Sequence, residues 1–450
     1  MSDRRSHAPA GRRALLVATG AVLATAPLAL RAQDDAARPI SLREAIDLAQ
    51  RNAPATVQAR GAERTASAQH RTALGAYLPS LNLNAGTGLT KGVQFFQGRL
   101  VELVGNPWNY NNGVGANLEL FDGGRRWFEL ERTRAQQDAA EAGLVSARFD
   151  VALQVKQQFY AALAARESEA AARAQLEQAE QQLKASIARL SAGVATLSDS
   201  LRSVIQVGNA QLALLTSQND LRVANAALTR LVGSTATVTA APEDTGSLPG
   251  PLPPEADLER LVADGPSILS AEATLAAARA SRRSQRTQYL PTLSVSFNYS
   301  TNQASPEFAT NNLLLLGGNN PNRRTMNFNF SYPLFNGFTR EQQTVQASVA
   351  QDNAEAALRD AKLAARQSLT QLLRAEANAV ARVQVQQQAI AAAEEDLRVQ
   401  QQRYALGAST LLDLLSSQTQ LNQARQALIQ ARFDARVARA QLESLIGRTL

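Results

Sequence analysis

Four short stretches alternate apolar and polar residues with a period of two, and nearly everything between them keeps a helical period. Leu293, Val295, Phe297 and Tyr299 alternate with Thr292, Ser294, Ser296 and Asn298; Met326, Phe328, Phe330 and Tyr332 alternate with Asn327, Asn329 and Ser331. Earlier in the chain, Leu81, Leu83 and Ala85 alternate with Asn82, Asn84 and Gly86, and Val114, Ala116, Leu118 and Leu120 with Gly115, Asn117 and Glu119. This pattern predicts strands at about 79–90, 113–121, 290–300 and 325–335, each with one apolar and one polar face. A length of about ten residues crosses a bilayer when tilted. A half-buried sheet of a soluble protein has the same alternation. The membrane reading is favoured because the polar face is Asn, Ser, Thr and Gly, which suits a water-filled lumen. The aromatics Phe121, Tyr299, Tyr332 and Phe335 also stand near strand ends, as an interfacial girdle does. Four strands do not close a barrel, and unpaired edges are not tolerated in lipid, so several chains must pool their strands. The loops Gly92 to Asn112 and Thr301 to Arg324, rich in Asn and Gly, are expected outside the cell.

Helical period returns after each strand pair. Residues 123–190 and 337–406 are rich in Ala, Gln, Glu and Arg and contain no proline. At ~1.5 Å per residue each helix reaches about 100 Å, so it needs partners along its side. Residues 197–232 and 411–446 carry heptad seams: Val207, Ala210, Leu214, Ser217, Leu221, Ala224, Leu228 and Leu231 in one; Leu421, Ala424, Leu428, Ala431, Ala435, Ala438, Leu442 and Leu445 in the other. Amphipathic helices at 42–76 and 256–288 precede the strands, weakened at Pro54 and Gly61 and broken at Gly265-Pro266. Both run into Tyr-Leu-Pro, where Pro79 and Pro291 end the helix.

The chain is duplicated. Tyr77-Leu78-Pro79 returns as Tyr289-Leu290-Pro291, Leu120-Phe121-Asp122-Gly123 as Leu334-Phe335-Asn336-Gly337, and Leu228 to Gly233 as Leu442 to Gly447, all near one offset of 212 or 214. Pro79, Gly123, Pro291, Pro333 and Gly337 mark the helix–strand transitions. The turns between the long and shorter helices share the offset: Gly193-Val194-Ala195-Thr196 with Asp199, and Gly407-Ala408-Ser409-Thr410 with Asp413. Gly suits a helix end and Thr a helix start, so capping alone explains these residue types. The division is therefore 33–233 for the first repeat, 234–256 for a Pro/Gly-rich linker free of helix and strand, and 257–450 for the second repeat.

Composition then narrows the function. The chain has no Cys and only His7 and His70, which excludes disulfides and thiolate chemistry and disfavours catalysis. No cofactor, metal-ligating or catalytic residue is assigned. Residues 1–32 have the charged start, apolar middle and Ala32 of a cleaved secretory signal. Removing them takes away five Arg and one Asp and lowers the formal charge from +7 to +3. The remaining basic residues are interspersed with acids, so no nucleic-acid partner is expected. An exported coiled-coil spacer would explain the seams but not four symmetric strands. An exported glycosidase-like enzyme would need a carboxylate pair that no pattern singles out.

The signal, the duplicated helix–strand–loop–strand–helix–helix unit, Tyr-Leu-Pro, Leu-Phe-Asp/Asn-Gly and the Gly-x-x-Thr-x-x-Asp turns together resemble the TolC family of outer-membrane efflux proteins. The resemblance covers essentially the whole mature chain. It implies a mainly α fold with a membrane β portion: a homotrimer whose twelve strands close one barrel in outer-membrane lipid, continuous with a periplasmic coiled-coil barrel. It implies no enzyme but an exit duct for small molecules, partnered by a periplasmic adaptor and an inner-membrane RND or ABC pump; type I protein secretion is the alternative. It implies a pore gate at Asp413, Asp199, Arg202 and Tyr404, in which Asp199 lines the mouth or pairs with Arg202; Arg189 and Arg403, just before the turns, are placed to bridge the acids. The adaptor-docking tips would be Gly193, Val194, Ala195, Thr196, Gly407, Ala408, Ser409 and Thr410. Some relatives carry Arg at the position of Ser409 and an acid at that of Ser416, so the closed state here must be held differently. Absence of Cys implies an unlipidated member.

Overall fold

A computed structural model describes residues 37–89, 91–102, 108–242, 250–303 and 322–450. The expected signal segment, the middle of the linker and most of the second long loop lie outside the described residues. The chain runs β1 (Arg38–Ile40), α1 (Leu42–Asn52), α2 (Pro54–Gly75), β2 (Ser80–Leu89), β3 (Val93–Phe96), β4 (Arg99–Glu102), β5 (Trp108–Phe121), α3 (Arg125–Ser191) and α4 (Leu197–Val232). It continues β6 (Val238–Ala240), α5 (Glu255–Ala263), α6 (Pro266–Gln285), β7 (Thr292–Gln303), β8 (Asn322–Ser331), α7 (Thr339–Ala405) and α8 (Leu411–Ile446). α3 and α7 each have 67 residues, and α4 and α8 each have 36. Among the described residues no helix is long and apolar enough to cross a membrane.

The long strands form one antiparallel sheet in the order β2-β5-β7-β8, so the two repeats meet at the β5–β7 pair. Register puts the apolar sets together: Leu83 faces Val114, which faces Tyr299; Phe297 faces Met326; Val295 faces Phe328. The outer strands β2 and β8 each have one unpaired edge in this chain.

Several elements differ from the sequence reading. The first opening helix is two helices, because Ala53 is extended and Pro54 restarts the helix. The loop after β2 holds a hairpin, β3–β4, and β5 begins at Trp108, five residues earlier than the alternation suggests. The linker is not free of strand. β6 pairs in parallel with β1, and Val238 and Ala240 are buried with Ile40. Three-residue strands fall below what alternation can detect, and this one is specified by burial against helices distant in sequence.

That burial forms the main core. Val151, Val155 and Phe159 of α3 pack with Leu228 and Val232 of α4, Ile40 and Val238 of the small sheet, Ala45 and Ala49 of α1, and Phe433 of α8. A second cluster joins Leu258 and Val262 of α5 to Leu369 of α7 and Leu442 and Ile446 of α8. Both lie partway along the long helices. Smaller clusters continue toward the turn that follows α7, through Val383, Leu397, Leu411, Leu414 and Leu421.

Candidate functional site

At each turn the backbone closes in the same way. Gly193 and Gly407 adopt left-handed φ of 77° and 71°, which a side chain makes unfavourable. The Val194 N–H bonds to the Arg189 carbonyl (3.0 Å), and the Ala408 N–H to that of Arg403 (2.8 Å). These six-to-one bonds satisfy orphan carbonyls at the helix ends. Thr196 and Thr410 then open α4 and α8 with capping boxes. The Thr hydroxyl accepts from the backbone of Asp199 or Asp413, whose carboxylate accepts the Thr backbone N–H. Oδ2 of Asp413 takes both the N–H (2.9 Å) and the hydroxyl (2.7 Å) of Thr410; Oδ2 of Asp199 does the same with Thr196 at 3.1 and 2.8 Å. The Gly-x-x-Thr-x-x-Asp pattern is thus used in making a helix hairpin, and among the described residues the other oxygen of each aspartate carries no hydrogen bond.

The Thr hydroxyl, then the Thr N–H, hold both carboxyls below their ordinary value of 3.8. Arg202 and Arg189 add to this at Asp199, and Arg403 at Asp413. A depressed folded pKa contributes stability that is present above the unfolded value and lost as pH falls through the folded one. Both caps are therefore complete at neutral pH and fade only in strong acid. Thr410→Ala is expected to weaken the α8 start by about 1 kcal/mol. Hydrogen exchange at Leu411–Leu415 checks this, with faster exchange at pH 7 confined to the first turn.

Among the described residues Arg189 does not bridge to an acid. Its guanidinium lies 4.5 Å over the Tyr404 ring and donates from Nη1 to the Tyr404 carbonyl at 3.2 Å. This ties the end of α3 to the end of α7, joining the two turns of one chain. Among the described residues Arg202 makes no ion pair, its charge acting on Asp199 without contact, and Ser409 has its Oγ buried without a partner. Val194, Leu197, Leu406 and Leu412 leave apolar surface exposed around the turns.

The strand–helix corners carry a second duplicated arrangement that the sequence reading missed. Arg126 lies 5.1 Å over the Tyr77 ring, and Arg340 lies 4.8 Å over the Tyr289 ring. The tyrosines are those of Tyr-Leu-Pro, and the arginines repeat at the 214-residue offset, so the signal was present in the repeat itself. Pro79 and Pro291 immediately precede β2 and β7, while Pro333 follows β8 and its carbonyl accepts from Arg340 at 3.0 Å. Gly123 and Gly124 are both left-handed; in the second copy the pair is Gly337 and Phe338, with φ of 64° and 63°. Phe338 tolerates this while stacking edge-on to Phe335 at 5.4 Å.

An open sheet of membrane length, turned at paired corners into helical hairpins of about 100 Å, defines a subunit of a barrel-and-tunnel channel. The chain belongs to the outer membrane efflux protein family, whose model matches residues 45–234 and again 258–448. Protein CyaE of Bordetella pertussis is 29% identical over 400 residues, spanning 86% of this chain and 80% of that protein. Among solved structures, CusC aligns with a TM-score of 0.73 at 19% identity, over 92% of this chain and 94% of that one. The outer membrane protein VceC from Vibrio cholerae aligns at 0.71 and 19% identity, over 91% and 96%. At these identities the structural likeness is one of fold.

Proposed function

We propose that this protein is the exit duct of an outer-membrane efflux assembly, a passive homotrimeric channel and not an enzyme. The observation that carries the reading is the four-stranded sheet with two open edges. β2 and β8 run antiparallel, so β8 of one copy can pair with β2 of the next, and a ring of copies closes without leaving an edge in lipid. Three copies pool twelve strands. A second support is a stripe on α4 that the heptad reading overlooked: Leu197, Leu201, Ile205, Leu212, Leu215 and Val223 are exposed in the single chain, on a face other than the one packed on α3. An adjacent copy would cover it.

In this reading residues 1–32 are a cleaved signal, the protein is unlipidated, and the helices stand in the periplasm. The turns Gly193–Thr196 and Gly407–Thr410 meet an adaptor's helical hairpin, which hands over cargo from an inner-membrane RND or ABC pump. Asp413 and Asp199 form acidic rings at the pore mouth, with Arg202 beside Asp199. Tyr404, gripped by Arg189, holds the two hairpins of each chain together where Ser409 offers no charge. The polar strand face is small and uncharged apart from Glu119 and Arg323, which suits small molecules first and an unfolded polypeptide as the second reading.

Purified protein in planar bilayers tests this. A trimer by crosslinking and discrete single-channel openings are expected; a monomer that forms no channel overturns the reading. Arg189→Ala removes one cation–π contact and one charged hydrogen bond, together about 1–2 kcal/mol. The open fraction is then expected to rise roughly tenfold, while Arg403→Ala leaves it near wild type. Equal open fractions for both variants would remove Arg189 from the gate.

A further inference from the structure

Arg324 is a cation on the apolar face of the sheet. Cross-strand register places it opposite Tyr299, in the same set as Met326, Phe328 and Phe330, whereas its neighbour Arg323 pairs with Ser300 on the polar face. The guanidinium lies 5.7 Å from the Tyr299 ring centroid, and no ion pair or hydrogen bond occupies it among the described residues. One step further along the same face the pair is Thr301 and Asn322, so apolar character on β7–β8 ends at Arg324.

Its height along the strand is informative. β7 leaves the α6 end and β8 returns to α7, so Arg324 sits at the end of the sheet remote from the helices. From Tyr332 to Arg324 the chain rises about 27 Å, or roughly 20 Å along the barrel axis after a ~40° tilt, close to the height of an apolar membrane band. With the helices in the periplasm, this rim meets the outer leaflet. An arginine merely snorkelling to water would serve equally at either rim. Among the described strand residues the apolar face carries a cation only at the outer rim, where phosphorylated glycolipid supplies the anions.

Resting on the outer-membrane reading above, we infer that Arg324, braced on Tyr299, is a lipid-binding residue that recognises a phosphate of an outer-leaflet glycolipid. The guanidinium fork presents paired N–H donors to phosphate oxygens, and its place over the ring face, with no hydrogen bond among the described residues, leaves those donors available. In a ring of three copies the site occurs three times around the barrel.

Native mass spectrometry of the detergent-solubilised full-length protein titrated with diphosphoryl lipid A tests this. Wild type is expected to retain the lipid, and Arg324→Gln to lower retention about tenfold. Arg323→Gln, on the opposite face, is expected to match wild type. Fully dephosphorylated lipid A should be retained no better by wild type than by Arg324→Gln. Equal retention of the diphosphoryl lipid by wild type and Arg324→Gln overturns the inference. So does displacement by millimolar inorganic phosphate, which would mark a free-phosphate site. Flotation of both proteins with phosphatidylcholine vesicles separates the two readings. Failure of wild type to insert defeats the membrane placement, whereas insertion without phosphate-dependent retention defeats only the lipid site.

Discussion

Arg126→Ala is expected to destabilise the first strand–helix corner by ~3 kcal/mol. Arg126 and Asp122 have side chains only 14% and 5% exposed, with Nε and Oδ2 2.9 Å apart. Oδ2 also accepts the Arg126 backbone N–H at 2.8 Å, and Oδ1 accepts that of Gly124 at 3.1 Å. The Arg126 Nη2 reaches the Leu120 carbonyl at 3.3 Å, and its guanidinium covers Tyr77. Alanine removes all of the side-chain links and leaves a buried carboxylate held only by two amides. Lysine restores charge but not the planar fork, so Arg126→Lys should recover only part of the loss. The second corner supplies the control. There Asn336 replaces the acid, and Asn336 Oδ1 and Arg340 Nε are both buried without partners. Arg340→Ala breaks no buried ion pair among the described residues; it loses the Tyr289 contact and the bonds to the Pro333 and Leu334 carbonyls, about 1–2 kcal/mol. Urea midpoints followed by helical circular dichroism, with unchanged slope, check the order of the two effects. Equal losses at the corners would mean that the Asp122 pair contributes nothing beyond the shared tyrosine and carbonyl contacts.

Phe159→Ala is expected to cost ~3–5 kcal/mol. Phe159 is fully buried where α3, α4, α8 and the β1–β6 sheet converge. Its ring meets Tyr160 edge-on at 6.1 Å, and Tyr160 in turn approaches Phe433 at 6.4 Å. Helices of this length cannot collapse onto the space left by the ring without shifting packing along their sides, so most of the cavity should persist. Phe159→Leu should cost less because it leaves a smaller cavity. The distinguishing readout is where protection from hydrogen exchange is lost. It should fall at Val238–Ala240 and the last turn of α4, and stay unchanged at Leu411–Leu415. Loss spread evenly along α3 would mean that this cluster is not a local junction.

Alternation located four strands, proline marked their entries, and the heptads located the helical seams, because each of these is written in neighbours a few residues apart. Repetition made the two turns comparable, and their capping chemistry was readable in Gly, Thr and Asp. The specific uses of charge were not. The position of Arg189 suggests a bridge to an acid, whereas the side chain grips Tyr404, more than two hundred residues away in sequence. The pairing of linker with N-terminal segment was likewise unreadable, since three residues carry no periodicity.

The duplicated order of helix, strand and turn, and the apolar and polar faces of the strands, were therefore determined by the sequence alone, through backbone preferences and the period of burial. The tertiary structure decided which partners those faces and charges meet: the junction of the repeats at β5–β7, the arginine–tyrosine pairs at corners and tips, and the parallel β1–β6 pair. The physical reason is range. Periodicity and capping act within a few residues, whereas cation–π contacts, buried ion pairs and strand edges are satisfied only by whatever the fold brings beside them.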